Sequence, residues 1–65
     1  MPYYEAIRKL RHLMYLTQTE FGLLFGVTFG TVNRWESGKF LPSMKVKRKL
    51  VFYFKKYNIE VVDQG

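Results

Sequence analysis

Cysteine is missing from the 65 residues, which removes disulfides, thiolate metal sites and thiol nucleophiles together. One histidine, His12, has no second imidazole or thiolate to share a metal with, so its expected place is the surface. No apolar run approaches the roughly 18 residues that a membrane span requires. The opening MPYYEAIRKL also lacks the basic-then-apolar layout of a secretory signal. Acidic residues are scarce, five against eleven basic ones, and their scatter offers no acid–base pair for catalysis. The expectation is a soluble cytoplasmic protein that is not an enzyme and takes neither cofactor nor metal.

Large rings are what the chain has instead. A chain this short buries only about 60% of the surface that its unfolded form exposes, and aromatics at 18% of residues let few side chains fill a core. The formal net charge is +6, and residues 39–56 hold seven basic residues and no acidic one. That stretch makes a polyanion a candidate partner, with plain solubility as the competing explanation. No repeat, linker or low-complexity segment divides the sequence, so a single domain over 1–65 is expected.

Helical spacing and end signals place four elements. Ile7, Leu10 and Met14 recur one turn apart with Arg8, Lys9 and Arg11 between them, which predicts an amphipathic helix over about 4–14. Thr17-Gln18-Thr19-Glu20 has the form of a capping box opening a second helix over 18–25, and Gly26 ends it in the left-handed conformation. Thr28 caps a third helix over about 29–37, closed by Gly38. Ser43 caps a fourth, whose Val46, Leu50, Phe54 and Tyr57 share one stripe. The segment 59–62 is β-prone but short. Two eight-residue helices joined by so tight a turn must cross steeply. Gly22 then supplies the close approach, with Phe21, Phe25, Val27, Val32 and Trp35 on the interior side.

In order, the stretch LTQTEFGLLFGVTFGTVNRWESGKFLPS carries Gln18 at the start of the second helix, the small Gly22 and the turn glycine Gly26. The run TVNRWESG over 31–38 and then Pro42-Ser43 follow. In this it resembles the Cro/C1 (Xre-type) helix-turn-helix DNA-binding domains, over about residues 7–50. The resemblance implies an all-α fold, a small four- to five-helix bundle of the lambda-repressor-like kind, here with a short extended C-terminal tail. It also implies sequence-specific binding of double-stranded DNA, most often as a transcriptional repressor, with the third helix in the major groove.

On that resemblance, Phe29, Gly30, Asn33 and Arg34 are the expected base contacts. Arg34 leads them, because its fork matches O6 and N7 of guanine together. Phe29 and Gly30 depart from the polar residues common at those places. The ring of Phe29 either packs on a thymine methyl group or folds back against Phe25 or Phe40, and Gly30 either admits a close backbone or merely weakens the helix. Thr17, Gln18, Thr31, Ser37 and Lys39 are the expected phosphate contacts, with capping alone as the other role for Thr17 and Gln18. Arg11 and Glu36 resemble the charge pair that ties the first helix to the third in this family.

The fourth helix cannot hide Val51, Phe52, Tyr53 and Phe54 on one narrow stripe, so apolar surface is left for a homodimer through this helix and a palindromic operator. A broad core stripe with partly exposed tyrosines is the alternative, and Lys47 is expected to lay its stem over the core edge. Other functions open at this point are a DNA-binding antitoxin whose C-terminal half covers a toxin, and an RNA- or protein-interaction module.

Overall fold

The computed structural model describes residues 1–62. It contains α1 (Tyr3–Leu13), α2 (Gln18–Phe25), α3 (Phe29–Glu36) and α4 (Met44–Lys56), and no strand is present among the described residues. The all-α bundle expected from the sequence is thus a four-helix one. The last part of the expected tail, residues 63–65, lies outside the described residues.

Each helix begins at a recognisable cap. Thr17 and Glu20 form a full capping box: the Glu20 amide donates to the threonine hydroxyl at 3.1 Å and the Thr17 amide to the Glu20 carboxylate at 2.9 Å. The Thr28 and Ser43 hydroxyls accept from Thr31 and Val46 in the same way. α1 starts one residue earlier than expected, at Tyr3, because Pro2 occupies the cap position with extended backbone and has no amide there to leave unpaired.

The helix ends share one device. After α1, α3 and α4, a residue at positive φ follows the C-cap, namely Tyr15 (57°), Gly38 (79°) and Asn58 (55°). The next amide then reaches back five residues, Leu16 to Arg11, Lys39 to Arg34 and Ile59 to Phe54. This reversal satisfies carbonyls that the last turn would otherwise strand. It also trims two expectations: α1 ends at Leu13 rather than Met14, and α3 at Glu36 with Ser37 as its cap.

The interior is built around Phe25. Its ring lies 4.9 Å from Phe21, 5.8 Å from Tyr53 and 6.4 Å from Trp35 by centroid, the last two edge-on. Ile7, Leu10, Phe21, Val32 and Leu50 are completely enclosed, each contributing about 1.5–3 kcal/mol through burial. Val27 and Tyr57, expected inside, are only half-buried at the core edge. Lys47 does cover that edge, with its ammonium 5.0 Å over the Tyr3 ring.

Gly22 makes the α2–α3 corner possible. A Cβ there would stand 2.5 Å from the Val27 carbonyl oxygen, closer than backbone atoms allow. At the far side Ile59 is buried, the Val62 amide donates to the Met1 carbonyl at 2.8 Å, and the Met1 ammonium donates to the Glu60 carbonyl at 3.1 Å. The tail is therefore tied to the chain start by backbone bonds.

Candidate nucleic-acid interface

α3 divides cleanly into two faces. Val32, Trp35 and Glu36 are buried, while Phe29, Asn33, Arg34 and Ser37 are exposed. Phe29 precedes Asn33 by four residues, Gly30 precedes Arg34 by four and Asn33 precedes Ser37 by four, so all five occupy one outward surface. Phe29 is 59% exposed, which excludes the fold-back against the core as its position. Gly30 has open space around it: a Cβ would meet only the Thr28 hydroxyl, at 3.7 Å.

Arg34 anchors the end of this surface in two ways. Its carbonyl accepts from the Lys39 and Phe40 amides and from the Ser37 hydroxyl, the last at 3.1 Å, and so fixes the loop that follows α3. Its guanidinium carbon lies 6.0 Å from the centroid of the exposed Phe40 ring, at the outer range of a cation–π contact. Phe40 is thus a prop for Arg34, a role that helical spacing did not expose because the residue lies in a loop.

The start of α2 comes to the same surface. Capping engages the amide of Thr17 and leaves those of Gln18 and Thr19 without intrahelical acceptors. The Glu20 carboxylate already places a negative charge there, and its pKa is held below the ordinary value by the Thr17 amide and then the Thr17 hydroxyl. Thr31 is half-buried, and its hydroxyl lies 3.4 Å from that of Thr28, so it too is partly occupied by capping. Ser37 and Lys39 are exposed.

A comparison with protein-family models matches residues 7–54 to one described as Helix-turn-helix, of the Cro/C1 type. The chain belongs to the Cro/C1-type helix-turn-helix family. That family is one of DNA-binding domains, and double-stranded DNA is accordingly the partner of this helix-turn-helix chain. No curated protein and no solved structure gives a significant match.

The charge pair expected of the family is present beneath the helix-turn-helix surface. Arg11 Nε donates to Glu36 Oε2 at 2.6 Å and a terminal nitrogen donates to Oε1 at 3.0 Å, a two-pronged bond. Glu36 is 4% exposed, and its hydrogen bonds raise the Arg11 pKa against the opposing effect of burial. Arg11 also donates to the Leu16 carbonyl at 3.1 Å, and Arg8 to the Glu36 carbonyl at 2.9 Å. Arg8 was not singled out by the sequence, since nothing in its spacing marks a partner 28 residues away.

α4 adds basic charge to the surface of the helix-turn-helix domain. Lys45, Arg48, Lys49, Lys55 and Lys56 on α4 are all exposed, giving a field that attracts a phosphate backbone. No group of three or more His, Cys, Asp or Glu able to hold a metal occurs among the described residues. No described helix is long and apolar enough to cross a membrane.

Proposed function

We propose that the protein is a cytoplasmic, non-enzymatic transcriptional repressor, a single DNA-binding unit over 1–65 that reads a specific duplex site by laying α3 in the major groove. The observation that carries this reading is the outward face of α3, where Asn33 and Arg34 stand exposed directly opposite buried Val32 and Trp35. A helix held rigidly by its underside keeps its upper side chains in register with base edges.

In this arrangement Arg34 bonds guanine through O6 and N7, Asn33 reads a neighbouring base, and Phe29 packs on a thymine methyl group. Gly30 removes bulk where the helix start meets the groove. Thr17, Gln18, Thr31, Ser37 and Lys39 bind phosphates on either side: Gln18 through its free backbone amide, Thr17 and Thr31 through hydroxyl hydrogens, Ser37 and Lys39 through exposed side chains. Val51 and Phe52, exposed on α4 beside buried Leu50 and Phe54, supply a two-fold contact. The homodimer then binds a palindromic operator.

The test is selection from a random duplex pool at two salt concentrations, with Arg34→Ala alongside the unaltered chain. One enriched palindromic motif is expected, with binding that weakens steeply as salt rises. Arg34→Ala should lose about 1–3 kcal/mol of discrimination at one base-pair position and little elsewhere. An enriched motif unchanged by Arg34→Ala would refute its role as reader.

A further inference from the structure

We infer that the cavity between the start of α1 and the loop after α3 is a binding site for a small planar aromatic carboxylate, whose entry draws Phe40 away from Arg34 and weakens DNA binding; the effect on DNA rests on the reading of α3 given above. The cavity measures about 260 Å³, and Tyr3, Tyr4, Trp35, Gly38, Phe40 and Leu41 are among its lining residues. An apolar cavity of about 150 Å³ already takes benzene. Tyr3 and Trp35 are buried, whereas Tyr4, Phe40 and Leu41 are exposed. A fixed floor is thus flanked by walls that can move.

Three features select the ligand. Four of the lining residues are aromatic, and a flat ring stacks on such surfaces. The indole N–H of Trp35, a residue only 4% exposed, has no hydrogen-bond partner among the described residues, in which every enclosed side-chain nitrogen and oxygen is bonded. It therefore reaches the surface and is left without an acceptor. Cations stand over two of the lining rings, the Lys47 ammonium 5.0 Å from Tyr3 and the Arg34 guanidinium carbon 6.0 Å from Phe40, while no carboxylate lines the cavity. An anionic acceptor fits those surroundings better than a neutral one.

The loop links this cavity to α3. Gly38 lies against Tyr4, since a Cβ there would stand 3.3 Å from the ring, and the amides of Lys39 and Phe40 both donate to the Arg34 carbonyl. Phe40 is shared: its ring is a wall of the cavity and the prop of the Arg34 guanidinium. A ligand stacked on Phe40 competes with the arginine for that ring. By linkage, DNA then lowers the affinity for the ligand by the same factor that the ligand lowers the affinity for DNA.

The experiment titrates the full chain with benzoate, and with benzamide as its neutral match in shape, while NMR follows the indole N–H of the single tryptophan and the backbone amides. Affinity for the selected duplex is then measured in benzoate and in acetate of equal concentration, which holds ionic strength constant. Benzoate should shift the signals of Trp35, Gly38 and Phe40 with a Kd of about 1 mM, the range open to so small a ligand, and benzamide should bind about tenfold more weakly. Tyr4→Ala, whose folding thermal melting checks, should weaken benzoate about tenfold and leave base selection unchanged. Saturating benzoate should weaken duplex binding about fivefold, and Phe40→Leu, which has no ring for Arg34, should remove that effect. Absent shifts, or equal shifts from benzamide, overturn the site. Shifts without any change in duplex affinity, or a change that persists in Phe40→Leu, overturn the link to Arg34. A chain that takes benzoate but selects no duplex sequence keeps the site and removes the DNA-reading function instead.

Discussion

Val27 meets Gly22 twice: its amide donates to the Gly22 carbonyl at 2.9 Å, and its own carbonyl oxygen occupies the space that a Gly22 side chain would need. The corner between α2 and α3 is therefore closed by one bond and guarded by one clash. Because both partners are backbone atoms, neither can rotate away as a side chain would.

Gly22→Ala should accordingly destabilise the protein by about 1–3 kcal/mol, the usual result of overfilling a packed interior, despite alanine's better helix propensity. Gly26→Ala is the comparison. Its site has nothing within 4 Å of a Cβ but sits at φ 70°, so only the left-handed conformation is penalised, by about 1 kcal/mol. Urea denaturation of both variants checks the order; Gly22→Ala as stable as Gly26→Ala would contradict the steric account.

Glu36→Ala should cost about 3–5 kcal/mol, because it leaves Arg11 largely enclosed without its carboxylate. For a domain this small that is most of the available stability. Arg11→Met with Glu36→Leu removes both charges together and should recover much of the loss. Thermal unfolding followed by circular dichroism measures both, and a Glu36→Ala midpoint equal to that of the unaltered protein would show the pair to be dispensable.

These two sites also show what the residues revealed unaided. Gln18, Phe29 and Met44, the starts of α2, α3 and α4, fall where side-chain caps announce them, because a cap is a local bond between residues three apart. Gly26 and Gly38 were legible for the same reason: glycine advertises positive φ. Tyr15 performs the same reversal without any such sign, its backbone closed by the bond from Leu16 to Arg11, and Asn58, a residue type that tolerates left-handed backbone, gives a weaker sign than glycine. The outward face of α3 followed from helical spacing. The bonds from Gln18 to Glu36, from Asn33 to Gln18, and from Val62 to Met1 did not. They join residues from different elements, and their existence depends on how those elements come to rest.

Acid should weaken the start of α2. Glu20 is fully exposed and its pKa is depressed by the Thr17 amide first and the hydroxyl second, so between the two pKa values the unfolded chain binds more protons than the folded one. The stabilisation is fully present above the unfolded value of about 4.3 and is lost as pH falls through the lower folded value. Glu20→Gln keeps the capping shape without the titration. Subtracting its stability-versus-pH curve from that of the unaltered protein should leave a difference that shrinks below about pH 4; parallel curves would rule the linkage out.

Phe52 is 65% exposed, so Phe52→Glu should leave folding intact while placing a charge in the proposed two-fold contact. Sedimentation should show a dimer become a monomer, and apparent affinity for a palindrome should fall about a hundredfold as the second half-site is no longer held nearby. An unaltered chain that sediments as a monomer on the duplex as well as off it would exclude that contact. If instead a neighbouring toxin covers the same face, the substitution should release it.

Trp35 is the chain's single tryptophan, and it is 4% exposed on the underside of α3, edge-on to Phe25. Its fluorescence is therefore an optical gauge fitted beneath the element proposed to meet DNA. Emission stays blue while α3 is seated on the core and moves red when it lifts. In the proposed arrangement the duplex lies on the opposite side and touches none of that ring, so a shift to the red on binding reports exposure of the underside of α3 rather than contact with the bases.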